Sequence, residues 1–495
     1  MKKKNYLIKF HYLFILVIPA LLFSCEVELE TPLERSGYEE PTSHEELLDF
    51  VEDAVARSEN MEAEIIGQSY EGRDIPAVKI SRDGYGTNPE MAKMLIFAQL
   101  HGNEQASKEG ALLLIKEFAK GNLDEFLPDI DLIVVPQMNP DGSEENQRRN
   151  AQDIDLNRDH LALESPENQA LHNLFVKYMP EINVDVHEYY PYGSSWEDYG
   201  YRRDFDMQIG LLTNINVPEE LREYQNEVFL PYMQEQIEGK GYSFHNYLVG
   251  GVPGDGKIRY STVDMNDGRQ SVGILGTFSV IYEGMNGRDR YAENIEERTK
   301  CQYESMVALL EFTQANKDDI KSVVEEGREE LKAAEAGQTV AIETEYVKGD
   351  EPLELPLVSF DDEERDTTVT VEEFYPYVEM VNEVEMPSGY LLPYEDEQLL
   401  NLLQRHNVEI TGDFIPEEYN IYRYTNVDNI DNLTVEQLEE LPADVPYVYV
   451  PIGQLHSRMV TLALEPESEI GLVNYDEFEH LTEESDYPIL RVYRR

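Results

Sequence analysis

The chain has 495 residues, of which 100 are acidic and 40 are basic, so its formal net charge is −60. A polyanion of this kind excludes nucleic acid as a natural partner, because like charges repel and no basic stripe offsets them. The hydrophobic content of 41% and the 32 tyrosines exclude a disordered chain, and the length predicts two to three domains.

The first 25 residues resemble a bacterial lipoprotein signal. Lysines at positions 2–4 precede an apolar run, residues 12–23, that is too short for a comfortable membrane span, and Cys25 follows it. The resemblance implies that Cys25 receives lipid, so that the body of the chain is exported and anchored to a bacterial membrane, on its periplasmic face or at the cell surface. An uncleaved N-terminal anchor helix is the alternative. The acidic residues 26–41 are predicted to form a flexible tether.

Beyond this tether the chain alternates between helical and strand patterns. Cap residues followed by acids predict a helix that starts near Ser43. Largely apolar runs predict strands that are covered on both faces, and segments with helical spacing lie between them. The predicted strands are residues 94–100, 131–136, 182–186 and 278–282, and the predicted helices are residues 106–120 and 171–178. This order predicts an α/β fold with a mixed, mostly parallel sheet and helices on both faces.

The C-terminal part of the chain has a different composition. Helical patterns become rare after residue 339, apart from residues 395–405, while acids, β-branched residues and prolines become frequent. This change predicts a C-terminal α+β or β-rich accessory domain of unknown role. The predicted division of the chain is a signal at 1–25, a tether at 26–41, a catalytic domain at 42–315, a helical connector at 316–339 and the accessory domain at 340–495.

Polar residues lie at the ends of all four predicted strands. His101 and Glu104 follow the first strand, residues 139–142 (Asn-Pro-Asp-Gly) follow the second, His187 follows the third and Glu283 ends the fourth. In open α/β sheets the ligand crevice lies at the carboxyl ends of the strands. The common position of these polar residues therefore predicts one functional site at that edge.

The residue types at these strand ends indicate a metal. His101 and Glu104 are three residues apart and can face one point, to which His187 can add a third ligand. Two histidines and one carboxylate leave a fourth position open for water, as in catalytic zinc sites, where zinc activates water and polarises a carbonyl. A carboxylate is also needed to move the proton, and Glu283 is the leading candidate, with Glu188 as its rival. Each residue also has a structural interpretation, as a buried core histidine or a structural ion pair.

These pieces occur in the order found in a known family. Residues 62–312 resemble the M14, or carboxypeptidase A-like, family of zinc carboxypeptidases, for which a His₂Glu zinc site is established. The resemblance covers about half of the chain. The matching segments are residues 66–73, 101–104, 139–142, 148–151 and 155–158, followed by His187 and Glu283.

The resemblance implies roles for five residues at the reaction centre. One zinc ion per chain would be held by His101, Glu104 and His187. Glu283 would accept a proton from the attacking water and pass it to the leaving amine. Arg148 would stabilise the oxyanion that develops in the transition state.

The resemblance also implies how a substrate would be held. Asn157 and Arg158 would bind its terminal carboxylate, a task that suits a planar guanidinium. Tyr260 stands where the family has a mobile tyrosine that closes over the substrate. The pocket for the terminal side chain is expected near Asp267, which would favour basic side chains, and Arg269, which would favour acidic ones.

The sequence therefore predicts a lipid-anchored zinc exopeptidase that acts on peptides with a free C-terminal carboxylate, with cell-wall peptides as another possible substrate. Two alternatives stay open. One is a deacylase of N-acyl amino acids, like succinylglutamate desuccinylase and aspartoacylase, which share a His-Gly-x-Glu motif. The other is a non-catalytic binding module on a peptidase scaffold. The oligomeric state is not indicated.

Overall fold

The computed structural model describes residues 28–362, 365–412, 414, 418–442 and 445–495. Within these residues the helices are α1 (Pro32–Arg35), α2 (His44–Val55), α3 (Gln105–Ala119), α4 (Pro140–Glu144), α5 (Pro166–Tyr178), α6 (Ser194–Tyr199), α7 (Glu219–Tyr224), α8 (Leu230–Gly239), α9 (Gly268–Gly273), α10 (Ile295–Lys332), α11 (Glu397–Arg405) and α12 (Ser457–Leu464). The strands before α10 are β1 (Met61–Gln68), β2 (Asp74–Ile80), β3 (Ala92–Ala98), β4 (Ile130–Val135), β5 (Ile182–Tyr189), β6 (Tyr201–Arg202), β7 (Met207–Gly210), β8 (Phe244–Asn246), β9 (Leu248–Val249), β10 (Ile258–Tyr260) and β11 (Phe278–Met285). The strands after α10 are β12 (Thr339–Val347), β13 (Leu353–Ser359), β14 (Asp366–Val371), β15 (Phe374–Tyr375), β16 (Tyr377–Glu385), β17 (Gly389–Pro393), β18 (Tyr419–Thr425), β19 (Thr434–Leu438), β20 (Tyr447–Pro451) and β21 (Asp486–Arg494).

A central mixed sheet organises the fold. Its strand order is β1-β2-β4-β3-β5-β11-β7-β8, and its four middle strands, β4, β3, β5 and β11, are parallel. These four are the strands predicted from the apolar runs, and they are almost fully buried because helices cover both faces. The predicted α/β class with a mostly parallel sheet is therefore confirmed.

Two of the predicted strands are longer than expected. The third strand extends to Tyr189 and the fourth to Met285, because β5 and β11 pair in parallel along their whole length. His187 and Glu283 consequently lie inside the strands and not after them. In this register the two residues are direct partners, so their side chains leave the sheet on the same face.

The predicted tether is wrong for its described part, residues 28–41. Thr31 caps the short helix α1 with a capping box, and Leu33 is buried against Ala106 and Ile295. Glu34 pairs with Lys116 of α3 at 2.5 Å. The isolated apolar residues among the acids therefore have a surface to pack on, which composition alone did not reveal. The predicted signal, residues 1–25, lies outside the described residues, and none of the described helices has the length and apolar character needed to cross a membrane.

The C-terminal region is β-rich and packs onto the catalytic region. Strand β13 pairs with β6, and β15 pairs with β10, so each of these small sheets joins both parts of the chain. The predicted helical connector, residues 316–339, is helical as far as Lys332 and continues α10 after a kink at Asn316. The boundary predicted at residue 340 is therefore not a break in packing. A five-stranded antiparallel sheet, in the order β19-β18-β21-β17-β20, forms the distal part of the region.

Four buried histidines lie where the two regions meet. His160 and His172 come from the catalytic region, and their Nδ1 and Nε2 atoms are 3.1 Å apart. His406 follows α11, and its ring centroid lies 5.4 Å from that of His172. Burial lowers the pKa of His160 to about 3 and the pKa of His406 and His456 to about 4. These side chains are therefore neutral in the folded protein over most of the acid range.

We expect the free energy of unfolding to fall as the pH drops from 6.5 towards 4. The unfolded chain binds protons at these histidines in that range and the folded chain does not, so each contributes a slope of about 1.4 kcal/mol per pH unit. Urea unfolding at pH 7, 6 and 5 measures this slope. His172→Asn, at a position where burial also lowers the pKa, should reduce the slope by about one proton. An unchanged slope in His172→Asn would contradict the account.

Candidate active site

The turn after β3 carries the first two candidate ligands. His101 precedes Gly102, where a Cβ atom would lie 2.1 Å from the backbone of Gly142, so only glycine fits this contact. The side chain of Asn139 donates to Leu100 O at 3.0 Å, which fixes the turn from the neighbouring strand end. The two polar motifs after β3 and β4 are thus one packed unit that presents His101 to the cavity.

His101, Glu104 and His187 converge in the structure. Their ligand atoms lie within 4.8 Å of one another, and all three residues are buried. The carboxylate of Glu104 lies 2.7 Å from His101 Nδ1 and 2.8 Å from His187 Nδ1. The pKa of Glu104 is lowered, because the charges and hydrogen bonds of the two histidines outweigh its burial, which acts in the opposite direction.

The opposite nitrogens of the two rings also face carboxylates. Asp155 Oδ1 lies 3.1 Å from His101 Nε2, and Asp185 Oδ1 lies 2.7 Å from His187 Nε2. Metal-ligating histidines commonly have such partners, which fix the tautomer so that the other nitrogen is free to bind the metal. This donor set, a His₂Glu cluster with carboxylates behind both rings, fits a zinc ion. The sequence reasoning missed Asp185, although its position two residues before His187 on one strand was a usable signal.

Glu283 lies beside the cluster on the neighbouring strand. Its side chain is 6% exposed and faces the same cavity as His101. Burial, together with the charge of Glu104, raises the pKa of Glu283 to about 7, although His187 and a hydrogen bond with Tyr247 act in the opposite direction. A carboxylate with a pKa near neutrality is suited to accept and return a proton.

Glu188, the alternative candidate for the base, forms an ion pair and a hydrogen bond with other residues. It is one residue beyond His187 on β5, so its side chain points to the opposite face of the sheet. Its carboxylate pairs with Arg298 of α10 at 2.8 Å and accepts the backbone N–H of Ala106 at 2.9 Å. Its own backbone N–H donates to Glu104 at 3.0 Å. Glu188 therefore positions a candidate ligand and is not placed to act as the base.

Arg148, Asn157 and Arg158 all line the cavity. Arg148 donates from Nε to Asp155 at 3.0 Å and keeps 45% of its side chain exposed. Asn157 accepts the backbone N–H of Gly268 at 2.8 Å, and its Nδ2 lies 3.3 Å from His187 Nε2. Arg158 donates from Nη1 to Asn157 O. The structure thus brings Arg148, the predicted oxyanion residue, and the predicted carboxylate-binding pair Asn157 and Arg158 together with the candidate metal ligands.

Tyr260 does not line this cavity in the structure, and its predicted role as a mobile residue that closes over the substrate stays a prediction. Its ring packs edge-on against Phe374 of β15, 5.3 Å between centroids, and it lines a neighbouring cavity. The cause is the pairing of β15 with β10, which turns the Tyr260 side chain away from the metal cluster. Tyr190 and Tyr247 line the cavity instead.

The two candidate specificity residues neutralise each other. Arg269 is fully buried, and its Nη2 lies 3.1 Å from Asp267 Oδ2. The other oxygen of Asp267 accepts the backbone N–H of Gln270 at 2.6 Å and caps α9. The cavity itself has a volume of about 480 Å³, large enough for the end of a peptide. The proposed lipid site, Cys25, lies outside the described residues, so it stays a prediction.

Comparison with known proteins finds similarity to zinc carboxypeptidases. Residues 47–173 match the family model Peptidase_M14, described as zinc carboxypeptidase. The chain is 28% identical over 304 residues to Carboxypeptidase 2 of Trichophyton rubrum, which covers 59% of this chain and 55% of that protein. It is 28% identical over 204 residues to Carboxypeptidase D of Drosophila melanogaster, which covers 34% of this chain and 14% of that protein. A solved metallo-carboxypeptidase from Pseudomonas aeruginosa, in complex with (2-guanidinoethylmercapto)succinic acid, aligns with a TM-score of 0.43 and 20% identity over 57% of this chain and 71% of that one.

The matched ranges differ in what they include. The family model covers His101, Glu104 and Arg148 but ends before His187 and Glu283. The chain also spans only about half the length of the fungal relative. The third candidate ligand and the candidate base therefore lie outside the family-model match, and the structure brings both of them next to His101 and Glu104.

Proposed function

We propose that this chain, which belongs to the M14 zinc carboxypeptidase family, removes C-terminal residues from peptides. The observation that carries the proposal is the buried cluster of His101, Glu104 and His187, with Glu283 lining the same cavity as the first two. Two neighbouring parallel strands, β5 and β11, contribute His187 and Glu283, and the turn after a third strand, β3, contributes His101 and Glu104. The buried cluster would hold one zinc ion per chain. The chemistry that zinc supplies in such sites is activation of water and polarisation of a carbonyl.

The proton transfers are assigned to Glu283. It accepts a proton from the attacking water and returns it to the leaving amine, and the raised pKa of its buried carboxyl makes both steps accessible near neutral pH. Tyr247 keeps the carboxyl oriented through their hydrogen bond. Glu188 contributes only through the backbone N–H that holds Glu104.

Substrate positioning is assigned to the arginines on the other side of the cluster. Arg148 is held by Asp155 but remains partly exposed to the cavity, so it can stabilise negative charge that develops on the scissile carbonyl oxygen. Arg158 and the Asn157 amide lie next to it and would bind the terminal carboxylate. This grip explains why the enzyme would act at a chain end and not within a peptide.

We expect the enzyme to require a free terminal carboxylate. Blocked peptides with a free C-terminus should be hydrolysed at least about 100-fold faster, as kcat/KM, than the same peptides ending in an amide, since the amide leaves the Arg158 guanidinium without its charged partner. Liquid chromatography of both peptide series, with N-acetylaspartate and N-succinylglutamate alongside, makes the comparison. Arg158→Gln should reduce the preference, whereas Arg149→Gln, an exposed neighbour paired with Asp153, should not. Turnover of the N-acyl amino acids alone would instead favour the deacylase.

A further inference from the structure

The cavity carries more guanidinium groups than the proposed reaction uses. In a chain with 100 acidic and 40 basic residues, five arginines line this one cavity. They are Arg148, Arg158, Arg203, Arg259 and Arg290. The first two are accounted for by the oxyanion and the terminal carboxylate. The others are free for a different part of the substrate.

Arg203 and Arg259 have no carboxylate partner within the described residues. Arg203 donates from Nη1 to Leu248 O, and its buried Nε has no hydrogen-bond partner. Arg259 donates from Nη1 to Ser261 O at 2.8 Å and to Tyr260 O. Carbonyl oxygens hold these side chains in place but do not neutralise them. The charge of Glu283 also acts on Arg203, but neither arginine forms an ion pair with a carboxylate of the described residues, so both guanidiniums can still contact an anionic ligand in the cavity.

Aromatic rings hold both guanidiniums in fixed positions. Arg203 lies 5.4 Å from the ring centroid of Tyr189 and 5.3 Å from that of Trp196. Arg259 lies 4.3 Å from the ring centroid of Tyr346, whose hydroxyl donates to Ser261 O. Charged groups fixed before binding lose little conformational entropy when a ligand arrives. Tyr346 belongs to β12, so the C-terminal region helps to build this wall of the cavity.

Asp267, which also lines the cavity, is not free to compensate the charges of Arg203 and Arg259. Asp267 is paired with Arg269 and caps α9, so it has no free oxygen for a basic side chain. Arg259 lies on β10, and the segment after this strand leads to Gly268, which donates to Asn157 in the proposed carboxylate grip. The wall with the spare charge is therefore next to the position of the substrate's terminal residue.

We propose that the cavity selects peptides whose C-terminal residue is aspartate or glutamate, and that Arg203 and Arg259 recognise the side-chain carboxylate. The inference rests on the proposed function and adds its substrate class. It also gives the C-terminal region a role, because Tyr346 positions Arg259 for this recognition. Tyr346 is a positioning residue, since it acts through the arginine and not on the substrate.

The test compares peptides that differ only in the last residue. With one blocked N-terminal part, we expect kcat/KM for terminal glutamate to exceed that for the isosteric glutamine by about 10- to 100-fold, the range of a charged hydrogen bond. The Arg259→Gln and Tyr346→Leu variants should lower this glutamate-to-glutamine ratio at least threefold, mainly through KM. Arg82→Gln, which removes the same charge from an exposed position, should leave the ratio unchanged. A wild-type preference for glutamine, lysine or phenylalanine would overturn the inference.

Calorimetric binding of the same peptides to Glu283→Gln protein separates the two proposals. If the glutamate peptide binds more tightly but the wild-type protein does not hydrolyse it, the result supports recognition of the side-chain carboxylate and excludes the proposed peptidase activity. If both peptides are hydrolysed at equal rates, the result supports the peptidase activity and excludes recognition of the side-chain carboxylate. Because Arg203 packs between two aromatic rings, Arg203→Gln is judged only if circular dichroism shows a folded protein, and Arg259→Gln carries the test otherwise.

Discussion

Replacing Glu283 by glutamine should lower kcat by about 10²- to 10⁴-fold, the usual contribution of a general acid–base group, while zinc stays bound at one ion per chain. Glutamine has nearly the same shape as glutamate, so the pairing of β11 with β5 and the three candidate ligands are left in place. What is lost is the ability to accept a proton. Metal analysis of the purified variant, measured beside its activity on a C-terminal peptide, tests both halves of this expectation.

Glu188→Gln is the informative companion to that variant. The carboxylate of Glu188 pairs with Arg298 on the far face of the sheet, so its loss leaves a buried cation without its partner. We expect a lower melting temperature but a kcat within about tenfold of the wild type for the folded protein, because the proton-transfer group is intact. If Glu283→Gln stayed active and Glu188→Gln did not, the base assignment would have to be reversed.

The centre of this fold could be predicted from the sequence because it is locally encoded. A strand buried on both faces must be apolar throughout, so β3, β4, β5 and β11 are visible as uninterrupted runs. Because ligand sites lie at the carboxyl ends of strands, the sequence pattern alone predicts that His101, Glu104, His187 and Glu283 lie together.

The parts that were mispredicted depend on long-range pairing. Strands β6 and β15 are two residues long each, which is too short for any periodic signal, yet they join the C-terminal region to the catalytic region. Their partners turned Tyr260 away from the cavity and brought Tyr346 into contact with Arg259. A run of acids likewise suggested a tether, although buried Leu33 and the ion pair of Glu34 with Lys116 attach that segment to the catalytic region.

The charges that line the cavity also depend on long-range contacts that the sequence pattern does not reveal. The sequence offered Asp267 and Arg269 as competing readers of the terminal side chain and could not choose between them. In the structure these two residues form an ion pair with each other, so each neutralises the charge of the other. The uncompensated charges are on Arg203 and Arg259, which are separated by 56 positions in the chain and are brought to one cavity only by the fold.

Replacing His187 by alanine should abolish stoichiometric zinc binding and, with it, all measurable peptidase activity. His187 and Glu283 lie beyond the residues that the family model matches, so this variant tests the part of the site that the family model does not cover. Without His187, only His101 and Glu104 remain of the buried cluster, and two ligands do not make a catalytic zinc site. Zinc per chain, measured by mass spectrometry after gel filtration, gives the result directly.

Two further variants make this outcome specific. Asp185→Asn keeps all three ligands but weakens the partner of His187 Nε2, so zinc affinity should fall about 10- to 100-fold without being lost, as a chelator competition would show. His245→Ala removes a histidine that packs on Phe205 outside the cluster, and it should retain one zinc ion. If alanine destabilises the core at 187, His187→Gln preserves the volume and serves in its place. Full zinc occupancy in a folded His187 variant would remove this residue from the ligand set. The third ligand would then have to be a different side chain near the paired ends of β5 and β11.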